Sequence, residues 1–112
     1  MEKIKIEGKR IYLYSHQIDM RMGMQKIQVL LSQNFSPSEL QDSIFVFISR
    51  SRKIAKVYVE DEFGRWLMIR KLSYTNFKIP RASEDGKLTS KDVRYLMDGA
   101  EIISERKRIE YA

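Results

Sequence analysis

The chain has no cysteine among its 112 residues. That excludes disulfides and thiolate chemistry and removes the soft ligands most structural zinc sites use. His16 is the single histidine, so the residues present assemble neither a zinc site nor a Ser–His–acid triad. Five scattered glycines form no phosphate-cradling loop. No apolar run approaches the roughly 18 residues of a membrane span. The opening Met-Glu-Lys-Ile-Lys-Ile-Glu carries acids where a signal peptide needs an apolar core. These absences predict a protein of the prokaryotic cytoplasm with no membrane partner, no metal and no cofactor.

What the chain does contain is enough for one modest core. Apolar residues make up 43% and aromatics 11%, globular values that predict a single domain over residues 1–112. Net charge is +6 and the pI is about 9.6. Such a balance suits nucleic acid, an acidic protein surface or anionic lipid. The charge is concentrated mid-chain: four basic residues and no acid from Ile48 to Val59, then five and no acid from Arg65 to Arg81. Between them lie Glu60, Asp61 and Glu62.

Periodicity predicts an α+β fold: an antiparallel meander of about four to five strands with two main helices packed on one face. "KIKIEGKRIYLYS" alternates around Gly8, with Ile11 and Leu13 on one face and Tyr12 and Tyr14 on the other. "DMRMGMQKIQVLLSQN" reads as a helix capped by Asp19, with Met20, Met24, Ile27 and Leu31 at helical spacing. Gly23 inside its first turns suggests close packing. "FSPSEL" starts a short second helix through Ser36, Pro37 and Glu39, stapled by Phe35 and Leu40. "SIFVFI" is continuously apolar, as a central strand is. "KIAKVYV" alternates, and "RWLMIRKL" is a third strand, with hairpin-length links "SRSR" and "EDEFG". "TNFKIP" reads as an edge strand stopped by Pro80. "LTSKDVRYLMDGAEI" is the clearest helix, boxed by Thr89 and Asp92, stapled by Leu88 and Val93, and stopped at Gly99. Ile102–Ile103 read as a last short strand before a charged tail at 104–112.

The acidic run offers little chemistry. Neighbouring strand positions face opposite ways, so Glu60, Asp61 and Glu62 would not converge on Mg²⁺ and read as an acidic hairpin turn. The basic hairpin offers more. Arg50 and Arg52 sit at a turn with forks that suit phosphate oxygens, and Lys53 follows them. Lys56 and Tyr58 share a strand face, and Trp66, Arg70 and Lys71 follow on the next strand. Cations interleaved with Tyr and Trp on a sheet grip a nucleic-acid backbone and stack bases. The plainer alternative puts Trp66 and Phe77 in the core and the cations in water.

In this order and spacing, "IDMRMG", "IFVFISRSRKIAKVYVEDEFG", "LMIRKLSYTNFKIP" and "LTSKDVRYLMDGAEI" resemble the TnpB-type accessory protein of the insertion sequence 66 family. These short proteins are encoded beside the transposase of a bacterial mobile element and are distinct from the larger RNA-guided nucleases that share the TnpB name. The resemblance runs from about Ile11 to Ile103. Asp19, Met20, Arg21 and Gly23 match its Asp-Met-Arg-x-Gly stretch, and Phe45–Phe47 its Phe-Val-Phe strand. Arg50 and Arg52 match its arginine-rich turn, Lys56 the strand lysine, Asp61 and Gly64 the acidic turn, and Arg70 and Lys71 a basic pair. Leu72, Phe77 and Pro80 match the end of that block, whereas Ser51, Glu60, Glu62 and Ile79 depart from the pattern.

The resemblance implies a role in transposition beside a separate catalytic transposase. The expected function is a non-enzymatic accessory protein that binds DNA at the element ends, or a transposase–DNA complex, through Arg50, Arg52, Lys53, Lys56, Tyr58, Arg70 and Lys71. One alternative is a module that docks the transposase without touching DNA. A third reading, carrying the least weight, is a small basic ribonuclease using His16, Arg50, Lys56 and Tyr58.

Overall fold

Between the first two strands the chain runs through two helices, and that detour sets the topology. The computed structural model describes residues 8–14, 18–73, 77 and 90–98, and the backbone of 101–106. In chain order the elements are β1 (Arg10–Leu13), α1 (Met24–Ser32), α2 (Pro37–Gln41), β2 (Ser43–Ile48), β3 (Ile54–Asp61), β4 (Gly64–Lys71), α3 (Ser90–Met97) and β5 (Glu101–Arg106). The five strands pair in sequence order. β2 to β5 are antiparallel, but β1 lies parallel to β2, with Arg10 opposite Ser43 and Leu13 opposite Val46. The sheet is therefore mixed, which corrects the expected antiparallel meander. A parallel neighbour requires a crossover, and α1 with α2 supplies it.

The expected packing of both main helices on one face is corrected as well. Alternating side chains send Ile44, Val46, Ala55, Val57, Val59 and Met68 into one core with Val93, Leu96 and Met97 of α3. The opposite parity sends Phe45, Phe47, Tyr58 and Leu67 into a second core with Met24, Ile27 and Leu31 of α1 and Leu40 of α2. Helices thus cover both faces. Ile44 to Phe47 are almost wholly buried, as a continuously apolar strand demands. Aromatic contacts join β1 and the α1–α2 link to β2: Tyr12 lies 5.6 Å from Phe45 and 5.3 Å from Phe35, and Tyr14 lies 5.2 Å from Phe47.

Local signals held to different degrees. At α2 the expected capping box is formed: Glu39 N donates to Ser36 Oγ (3.2 Å) and Ser36 N to Glu39 Oε1 (3.1 Å), with Pro37 at the first helical position. Phe35 and Leu40 meet in the same core. Asp19, by contrast, does not cap α1. The cap is Gly23, which has no side-chain acceptor, while Asp19 Oδ1 accepts from Arg21 N (2.9 Å) and closes a turn ahead of the helix. A Cβ built on Gly23 would meet nothing within 4 Å, so close packing does not explain that glycine. β5 continues to Arg106, so the first residues of the expected tail are strand. Pro80, His16, Thr89, Leu88 and Gly99, and most of "TNFKIP", lie outside the described residues. Among the described residues no helix is long and apolar enough to cross a membrane.

Candidate nucleic-acid interface

The link between β2 and β3 is a tight turn held from within by Ser49. Its buried Oγ accepts from Lys53 N (3.2 Å) and Ile54 N (3.1 Å), its carbonyl accepts from Arg52 N (2.9 Å), and its own N–H donates to Ile54 O (2.9 Å). Arg52 closes the turn in the left-handed region, at φ 59°. A side chain there costs roughly 1–2 kcal/mol relative to the right-handed region. Neighbouring chain offsets that strain. Phe77 N donates to Arg52 O (2.6 Å) and Leu72 N to Lys53 O (2.8 Å), so the turn is anchored to the segment that follows β4.

These constraints display cations. Arg50, Arg52 and Lys53 are exposed, and so is Lys71, whose neighbours in the sheet put it opposite Ile54. None of the four pairs with an acid among the described residues. Arg70 is half-buried and has a bracing role too: one guanidinium nitrogen donates to Tyr95 O (2.8 Å), and the group lies 5.4 Å from the centre of the Phe77 ring. Phe77 itself is buried. The acids occupy the other end of β3, roughly 23 Å away at strand rise. Along β3 charge is thus polarised, basic at the turn and acidic at the far end, while on β5 Glu101 lies in register with Ile69, next to Arg70.

Two residues expected at this surface lie inside it. Lys56 is 5% exposed, and its Nζ donates to Met22 O at 2.9 Å. Burial pushes its pKa down and the charge of Lys71 adds to this, while Asp19 opposes. Tyr58 is fully buried, with its hydroxyl donating to Glu60 Oε2 at 2.7 Å. Burial first, and that hydrogen bond second, hold the phenol above its ordinary value. Trp66 is partly buried against the α3-side core, and its Nε1 donates to Asp61 Oδ2 at 3.1 Å.

The remaining motif residues shape turns. Asp61 Oδ1 accepts from Phe63 N and Gly64 N, both at 2.8 Å, and so builds the β3–β4 hairpin. The Asp19 carboxylate is gripped by Arg21 through Nε (3.0 Å) and Nη2 (2.9 Å), which lowers its pKa to about 2. Among the described residues no group of three His, Asp or Glu is placed to hold a metal ion. Two contributions escaped the sequence reading. Ser49 organises the turn, and Tyr95 is exposed on α3 while its backbone carbonyl accepts from Arg70. Tyr95 was detectable as an aromatic lying off the Val93–Leu96–Met97 stripe of its helix.

Fold and site together define a small α+β protein with a mixed sheet, helices on both faces and a braced cationic turn at one end. The family model described as IS66 Orf2-like protein matches residues 9–107, and the chain belongs to that family. Membership is consistent with an accessory role in transposition. No curated protein and no solved structure gives a significant match.

Proposed function

We propose that the protein is a non-enzymatic accessory factor for transposition of a bacterial insertion sequence. It acts in the cytoplasm and binds the DNA backbone at the element ends, alone or with the transposase in place. The observation that carries this reading is the braced turn: Arg50, Arg52 and Lys53, with Lys71 alongside, are exposed and unpaired with any described acid, and backbone hydrogen bonds at Arg52 and Lys53 fix the turn that carries them. Arg70 supports that end from beneath, and Lys56 and Tyr58 support the sheet from within. The test is the salt dependence of binding to element-end DNA. Each phosphate neutralised contributes about −0.9 to the slope of log K against log salt. The parent protein should give a slope of roughly −3 to −4 if three or four of these cations contact phosphate. Arg50→Ala with Lys53→Ala should bring it nearer zero by about 2. A flat salt profile for the parent would rule out backbone contact.

A second reading, docking of the transposase by this chain without DNA, is favoured by the exposed side of α1. There Met22, Val29 and Leu30 line a shallow groove with Gln25, Lys26 and Gln33, and Val29 is 55% exposed. Co-purification with the transposase that survives nuclease treatment supports this docking, and association lost on nuclease treatment supports the DNA reading. A ribonuclease loses two of its candidate groups, because Lys56 and Tyr58 are interior and engaged.

A further inference from the structure

We infer that Tyr95 is a base-stacking platform, and that the cationic end therefore prefers single-stranded DNA to the duplex. This rests on the DNA-binding reading above and specifies the form of the ligand. Binding unpaired bases needs an aromatic face in water beside the cations. Most described aromatics are disqualified. Phe45, Phe47, Tyr58 and Phe77 are buried; Tyr12, Tyr14 and Phe35 pack into the α1-side core; Trp66 packs into the other. Phe63 is exposed but belongs to the acidic turn between β3 and β4. Tyr95 is 49% exposed, although Val93, Leu96 and Met97 around it on α3 are buried.

Its position is tied to the arginine turn through three direct contacts. Tyr95 O accepts from Arg70 (2.8 Å), the Arg70 guanidinium lies over the Phe77 ring (5.4 Å), and Phe77 N donates to Arg52 O (2.6 Å). These contacts fix the backbone of α3 that carries the exposed ring relative to Arg52, which lowers the ordering left to do when a base arrives. Lys91 and Arg94 are exposed on the same helix, balanced in charge by Asp92 within it and by Asp98 just past its end. Bases in a duplex already stack on one another and offer no free face. A single strand offers one per nucleotide, and stacking on an aromatic strengthens binding roughly 5- to 150-fold per base. The backbone contacts of Arg50, Arg52, Lys53 and Lys71 serve either form; the ring serves the single strand.

The test uses fluorescence anisotropy with a labelled mixed-sequence oligonucleotide, its duplex, and an abasic strand of equal length. The proteins are the parent, Tyr95→Ala, Tyr95→Phe, and Arg50→Ala combined with Lys53→Ala. The parent should prefer the single strand. Tyr95→Ala should lose about tenfold on it, stay within about twofold on the duplex and abasic strand, and melt as the parent does; Tyr95→Phe should bind as the parent does. The double basic variant should lose affinity for all three. Parent-like binding of Tyr95→Ala to the single strand, or an equal loss on all three ligands, overturns the stacking role and leaves backbone binding standing. Absence of parent binding to every DNA form overturns both readings.

Discussion

Lys56 shows how little a residue's type says about its surroundings. Alternation along β3 puts Lys56 and Tyr58 on one face, and the structure agrees; yet that face lies beneath α1 and α2, so the lysine is interior. Its ammonium is bound by Met22 O and disfavoured by burial and by Lys71. The consequence for pH has a definite sign. The folded pKa lies below the ordinary 10.5, so between the two values the unfolded chain binds more protons and stability rises with pH. Urea unfolding of the parent and Lys56→Met at pH 7, 8.5 and 10 isolates this term. The difference should shift in favour of the parent as pH rises, by no more than about 1.4 kcal/mol per pH unit. A difference that stays flat would mean that folding does not lower the Lys56 pKa into this range.

Among the elements, the β2–β3 turn couples strain to display. Arg52 sits where glycine is at ease. Arg52→Gly should therefore keep stability or raise it by up to about 1 kcal/mol, whereas Arg52→Val should lower it by about 1 kcal/mol or more. Urea midpoints check both, and equal losses would show that the turn does not need a left-handed residue. The sequence announced a cationic turn here but not its bracing. The hydrogen bonds from Leu72 and Phe77 join positions some twenty residues apart, beyond the reach of any local pattern. The α2 capping box was legible because its partners lie three residues apart. α1 was misjudged at its start because Asp19 had a nearer partner, Arg21, whose amide and guanidinium it satisfies without a helix.

Across the whole molecule, the two cores on opposite faces of one sheet should fail together. Ile27 and Leu96 are fully buried, one under α1 and the other under α3. Each replaced by Ala should cost about 2–5 kcal/mol, with a single unfolding transition in either variant. A near-neutral Leu96→Ala would mean that α3 does not cover the second face. The run "SIFVFI" already pointed this way: a strand apolar at every position needs cover above and below. The expectation of helices on one face conflicted with that pattern, and the pattern was right.

By itself the sequence determined the types of the described elements, the parity of β1 and β3, most of the apolar stripes of α1 and α3, and the family, because these depend on neighbours a few residues apart or on motif order. Only the tertiary structure decided that β1 runs parallel to β2, that α3 lies opposite α1, and that both members of the alternating pairs along β3 are shut off from water. Alternation has a period of two and no sense of direction or depth. It separates Lys56 from Ala55, but only helices laid across both sides of the sheet turn both faces into interiors. For the same reason the cations of the turn remain outside, while the exposed tyrosine is Tyr95 of α3, whose carbonyl holds Arg70, rather than Tyr58.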